Sequence, residues 1–129
     1  MSRSLSLRHE MKLLNELFTI ASWTHEPTLA AHIRLNPECI IYKAHFPGRP
    51  ITPGVCIIGI VTELLETYYA LPLRLDEVKN LKFVDVIEPT KVKSLSVVFE
   101  RIELADGLKV RGTVSADEHI YTKFSFIYR

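Results

Sequence analysis

Cysteine is scarce: Cys39 and Cys56 are the only two, and no CxxC occurs. A disulfide framework and zinc-ligand spacing both lack their residues. Excess charge is also missing. Sixteen Lys and Arg stand against fifteen Asp and Glu, a formal net charge of +1, so a nucleic-acid partner has no global support, although a local basic patch stays possible. The longest apolar run, Val55 to Val61, is far too short to cross a bilayer. The opening MSRSLSLRHEMKLL carries Arg8, His9, Glu10 and Lys12 where a signal peptide needs its apolar stretch, which leaves a cytoplasmic protein as the expectation. No repeat, low-complexity tract or linker is visible. With 129 residues, 47% of them hydrophobic and 24% charged, the chain is expected to be one domain over residues 1–129.

What is present is a clear change of period. Residues 5 to 14 read as a short helix of weak periodicity. Leu17 to Leu35 reads as two strands with a turn at Thr24 to Pro27. Asn36-Pro37 breaks the pattern, and a proline- and glycine-rich loop follows. Helix is expected over about 54–69, stopped by Pro72. Its first half is apolar all round, and its second gathers Thr62, Glu63, Glu66 and Thr67 on one side. Beyond it the period falls to two. Strands are expected over Val78 to Ile87, then around Leu95–Phe99, Leu108–Val114 and Ile120–Phe126, with turns at Asp106-Gly107 and Ala116 to Glu118. One buried helix ahead of antiparallel strands makes an α+β fold, the sheet wrapped around the helix.

The loop carries the specific signal: His45-Phe46-Pro47-Gly48-Arg49-Pro50-Ile51-Thr52-Pro53-Gly54. It resembles the 3-hydroxyacyl-(acyl carrier protein) dehydratases of fatty-acid synthesis, whose pattern is His-Phe-Pro-Gly-x-Pro-Val-x-Pro-Gly followed by a helix. Asn80-Leu81-Lys82-Phe83 is similar to the strand entering that family's sheet. The resemblance implies a hotdog fold, a homodimer or a hotdog heteromer, and acyl thioesters on a carrier protein as substrate. It implies no metal and no organic cofactor.

It also implies roles. His45 would be the base that removes the proton beside the thioester carbonyl, a task suited to an imidazole that titrates near working pH. Gly54 and Val55 would offer helix-terminal N–H groups to the carbonyl oxygen, and Phe46 would help line the substrate. The three prolines reduce the loop's freedom and hold His45. The family places an acid on the helix fourteen positions after the histidine, contributed across the dimer; here that position is Gly59. Glycine inside a helix costs about 1 kcal/mol relative to alanine, so Gly59 leaves room either for an acyl chain or for a packed neighbour. Glu63, one turn on, is the candidate replacement acid, or else a solvated or paired carboxylate at the wet end of the helix. Glu66 and Asp85 rank behind it. Cys56 reads as core rather than nucleophile, and His25, His32 and His119 lack metal spacing. Lys43 and Arg49, with Lys79 and Lys82, form either a basic rim for an acidic carrier or scattered solvated charges. A non-catalytic carrier-binding subunit and a thioesterase are the competing readings.

Overall fold

A computed structural model describes residues 12–44 and 48–129 of the chain. Its elements run β1 (Phe18–Thr24), β2 (Leu29–Leu35), α1 (Ile40–Ala44), α2 (Gly54–Tyr69), β3 (Leu75–Phe83), β4 (Ser94–Leu104), β5 (Leu108–Ala116) and β6 (His119–Tyr128). The strands form one six-stranded antiparallel sheet in the order β1-β2-β4-β5-β6-β3.

α2 is the helix the apolar run predicts, with the same limits. Ile57, Ile60, Val61, Leu64 and Leu65 are buried at helical spacing. They meet the inward residues of the sheet, among them Val97, Phe99, Val110, Val114, Phe124 and Phe126. This is the hotdog arrangement of a sheet wrapped around one helix. Ala70 ends the helix in the left-handed region at φ 56°, its N–H donating to the Glu66 carbonyl. Both expected hairpin turns form, with Asp106, Gly107 and Asp117 at positive φ.

Three expectations are corrected. The stretch between Asn36 and the loop is not featureless, because α1 occupies residues 40–44; five residues hold too little periodicity to announce a helix. The strand expected over 78–87 lies at 75–83 instead. β3 is an edge strand with most of its residues exposed, so burial imposes no alternation from which to read its limits. Residues 12–14 are not helical; the rest of the helix expected over 5–14 lies outside the described residues. Leu13 opens a tight turn whose carbonyl accepts the N–H groups of Glu16, Leu17 and Phe18. No described helix is long and apolar enough to cross a membrane.

Candidate active site around the N-terminus of the central helix

His45 and Phe46 lie outside the described residues, but both flanks of their loop are fixed. On one side, Tyr42 of α1 is buried and its hydroxyl lies 2.9 Å from Thr52 Oγ1. Burial pushes the Tyr42 phenol up to about 12, with the Thr52 hydrogen bond only partly opposing it. On the other side, the Thr52 N–H donates to the Ile87 carbonyl at 2.8 Å. Arg49 Nη2 lies 3.0 Å from Glu88 Oε1, and Lys91 approaches the same carboxylate. The Arg49 hydrogen bond, above all, holds the Glu88 carboxyl below its ordinary range. A hollow of about 260 Å³ opens between these flanks, lined by Pro37, Tyr42, Lys43, Gly48 and Pro50.

The loop delivers the chain into α2 through Pro53, which has no side-chain cap to offer. The Pro53 carbonyl takes the N–H groups of Cys56 and Ile57, whereas those of Gly54 and Val55 have no acceptor among the described residues. Val55 is 76% exposed, so this end of the helix faces outward. A Cβ at Gly54 would lie 2.7 Å from Cζ of Phe83, so the half-exposed ring that covers the helix start would have to move aside. Thr122, opposite Phe83 in the register, is fully buried, and its hydroxyl has no partner among the described residues.

Gly59 has a different occupant. A Cβ on it would lie 2.7 Å from Leu13 Cδ1, so the gap in the helix surface is filled by the chain's own buried leucine. Among the described residues the space beside Gly59 is taken up by Leu13 of the segment before β1. Glu63 holds the same segment. Its Oε1 accepts the N–H groups of Leu13 at 3.1 Å and Leu14 at 2.8 Å, and its Oε2 accepts Leu13 N–H at 2.9 Å. The expected wet end of the helix is therefore corrected: Glu63 is 6% exposed and engaged by backbone donors. Thr62, buried beside it, bonds the Ile58 carbonyl and the Tyr128 hydroxyl.

The remaining candidates are dispersed. Cys56 is buried, and burial first, then the neighbouring Cys39 and Glu63, raise its thiol pKa, which suits core packing rather than a nucleophile. Asp85 is exposed, with His119 Nε2 3.0 Å from its Oδ2. Glu66 caps the end of α2 through Leu73 N–H. The four basic residues do not form one rim: Arg49 is committed to Glu88, Lys43 flanks the hollow, and Lys79 and Lys82 belong to β3. Sequence reasoning missed Tyr42, Thr52, Glu88, Phe83 and Leu13. Only Thr52 lies inside the motif, and Phe83 closes the resembling Asn-Leu-Lys-Phe run; the others carry no local signal.

A model of the family described as ApeI-like, ApeI dehydratase, matches residues 21–121. The chain belongs to the ApeI-like dehydratase family. Similarity to curated proteins is more modest. The 3-hydroxyacyl-[acyl-carrier-protein] dehydratase FabZ of Clostridium acetobutylicum is 28% identical over 95 residues, 67% of each chain. FabZ of Latilactobacillus sakei is 27% identical over 130 residues, covering 93% of this chain and 89% of the relative. Among solved structures, an uncharacterized protein from Erwinia carotovora subsp. atroseptica superposes with a TM-score of 0.60 at 19% identity, over 78% of this chain and 82% of that one. The dehydratase heterocomplex ApeI:P from Xenorhabdus doucetiae gives 0.58 at 18% identity, over 84% and 95%. At such identities these structures support the hotdog fold, while membership of the ApeI-like family rests on the family match.

Proposed function

We propose that this ApeI-like chain acts on 3-hydroxyacyl or enoyl thioesters, with the thioester carbonyl seated at the start of α2. The observation that carries this reading is the pair of N–H groups on Gly54 and Val55 at the start of α2 that have no acceptor among the described residues. There they would meet the charge that builds on the oxygen as the proton beside it leaves. His45 takes that proton. The freed electron pair forms the carbon–carbon double bond, the C3–O bond breaks, and the hydroxyl departs with a proton as water. The Tyr42–Thr52 and Arg49–Glu88 contacts brace the loop that carries His45. The carrier-bound substrate is proposed from FabZ, whose name specifies an acyl carrier protein.

Glu63 we assign to structure, as the anchor of the Leu13 segment. The acid that protonates the leaving hydroxyl then has no group on α2 to supply it from position 59. This favours a second reading of the same site: a hotdog partner chain contributes the carboxylate, and this chain contributes His45 and the helix terminus. The Xenorhabdus doucetiae structure is named as a heterocomplex, which makes such a partner a reasonable one to seek.

Hydration of an enoyl-carrier thioester by the purified chain, alone and with a candidate hotdog partner, tests both readings. Turnover by the chain alone, abolished in His45→Ala, supports a self-sufficient enzyme with water as the proton source. Turnover only with the partner, again lost in His45→Ala, supports the shared site. Turnover unchanged by His45→Ala sinks both.

A further inference from the structure

The face of the sheet turned away from α2 concentrates positive charge in a way the near-neutral whole molecule does not predict. Alternation fixes that face, because Val110, Phe124 and Phe126 point inward to the core, so Arg111, Lys123 and Ser125 point outward. Arg101 on β4 stands directly opposite Arg111 on β5. In the neighbouring row, Lys123 on β6 stands opposite Lys82 on β3. Directly opposed like charges destabilise a sheet, and here two such pairs are adjacent. Arg101 is paired with Glu103 at 3.0 Å, while Arg111, Lys109, Lys79, Lys82 and Lys123 have no ion-pair partner among the described residues.

These cations are not spread over a flat surface. Lys79, Arg101, Lys109 and Arg111 rim a groove of about 190 Å³ floored by Ile127, with Ser125 adding a hydroxyl. We propose that this groove binds a soluble phosphate-bearing anion, a phosphate ester or diphosphate. Arginine forks and lysine ammonium groups converging on one small hollow suit compact tetrahedral oxyanions. The groove's size fits one or two phosphate groups and not a folded acidic protein. Of the acids on this face, Glu103 lines the groove opposite Lys109 and is paired with Arg101, and Glu77 stands opposite Ile127, which leaves the lining cations in excess. Bound phosphate would supply Arg111 with the counter-charge that Arg101 already has in Glu103. The proposal is independent of the thioester chemistry, since its site lies on the opposite face of the sheet from α2.

Calorimetric titration of the full chain with inorganic pyrophosphate, at fixed ionic strength set by sodium chloride, is the test. Saturable binding is expected, weakened about tenfold in Arg111→Gln through loss of one charge-assisted contact and unchanged in Lys93→Gln, an exposed control outside the groove. Arg111→Gln without anion should melt no lower than the parent, because the repulsion is gone. Binding that survives Arg111→Gln unaltered places the anion elsewhere and overturns the proposal. So does a pyrophosphate effect reproduced by chloride alone. Co-sedimentation with phosphatidylglycerol vesicles in the absence of pyrophosphate binding overturns it in favour of a lipid surface.

Discussion

At the scale of single residues, three positions far apart in sequence act as one unit. Leu13 fills the notch that Gly59 leaves in α2, and Glu63, one turn along, holds the backbone of Leu13 and Leu14. Leu13→Ala should cost about 2–5 kcal/mol, as other buried Leu→Ala changes do. Gly59→Ala sets about 1 kcal/mol of gained helix propensity against displacement of a flexible leucine tip. In the parent the two should nearly cancel, and in a Leu13→Ala background the gain should appear in full. A urea-unfolding double-mutant cycle reads the difference; additive effects would mean that Leu13 does not occupy the notch. Glu63→Gln should lose about 1.5–3 kcal/mol of charge-assisted bonding to the same segment. Thr122 behaves oppositely: its hydroxyl is buried with no partner among the described residues, so the near-isosteric Thr122→Val should raise stability by about 1 kcal/mol or more by removing an unsatisfied group. A loss in that variant would point to a partner for the hydroxyl.

At the scale of elements, the braces around the loop of residues 45–53 give a pH signature. Tyr42 is neutral in its buried bond to Thr52 and is pushed up to about 12, above its ordinary 10. A raised folded-state pKa means that the folded protein holds this proton more tightly than the unfolded chain. Its contribution is therefore complete below pH 10 and is lost as pH rises from about 10 toward 12. In an ultraviolet difference titration the phenol that titrates near 12 should vanish in Tyr42→Phe, while that of Tyr69, also raised by burial, remains. The same elements explain what could be read in advance. α2 was legible because an apolar run sits between Pro53 and Pro72, and the two hairpins because Asp-Gly and Asp-Glu turns interrupt period-two strands. The loop motif pointed to the helix terminus at Gly54 for the same local reason. Leu13 could not be found, because its contacts with Gly59 and Glu63 bridge dozens of residues and obey no period. The alternation reverses at Val84 and Asp85, where the structure ends β3 at Phe83 and leaves Val84 and Val86 exposed beyond it.

At the scale of the whole molecule, those exposed valines form part of a larger feature. β3 is a sheet edge with one side unpaired, and Val78, Phe83, Val84 and Val86 on or just beyond it are each 45–49% exposed. Val55, at the nearby start of α2, is more exposed still. An edge strand with backbone groups to offer and apolar side chains beside it is a template for another chain. The edge also lies beside the helix terminus, because Phe83 covers Gly54. Association there would bring a second chain's residues beside the start of α2, as the proposed shared site requires. Sedimentation at micromolar concentration should then give twice the mass of one chain, or a complex with the hotdog partner. Val78→Lys, a charge on the edge strand at an exposed position, should return it to single chains with the circular dichroism of the parent. If the parent runs as a single chain with and without the partner, β3 is only a tolerated edge, and the shared-site reading fails.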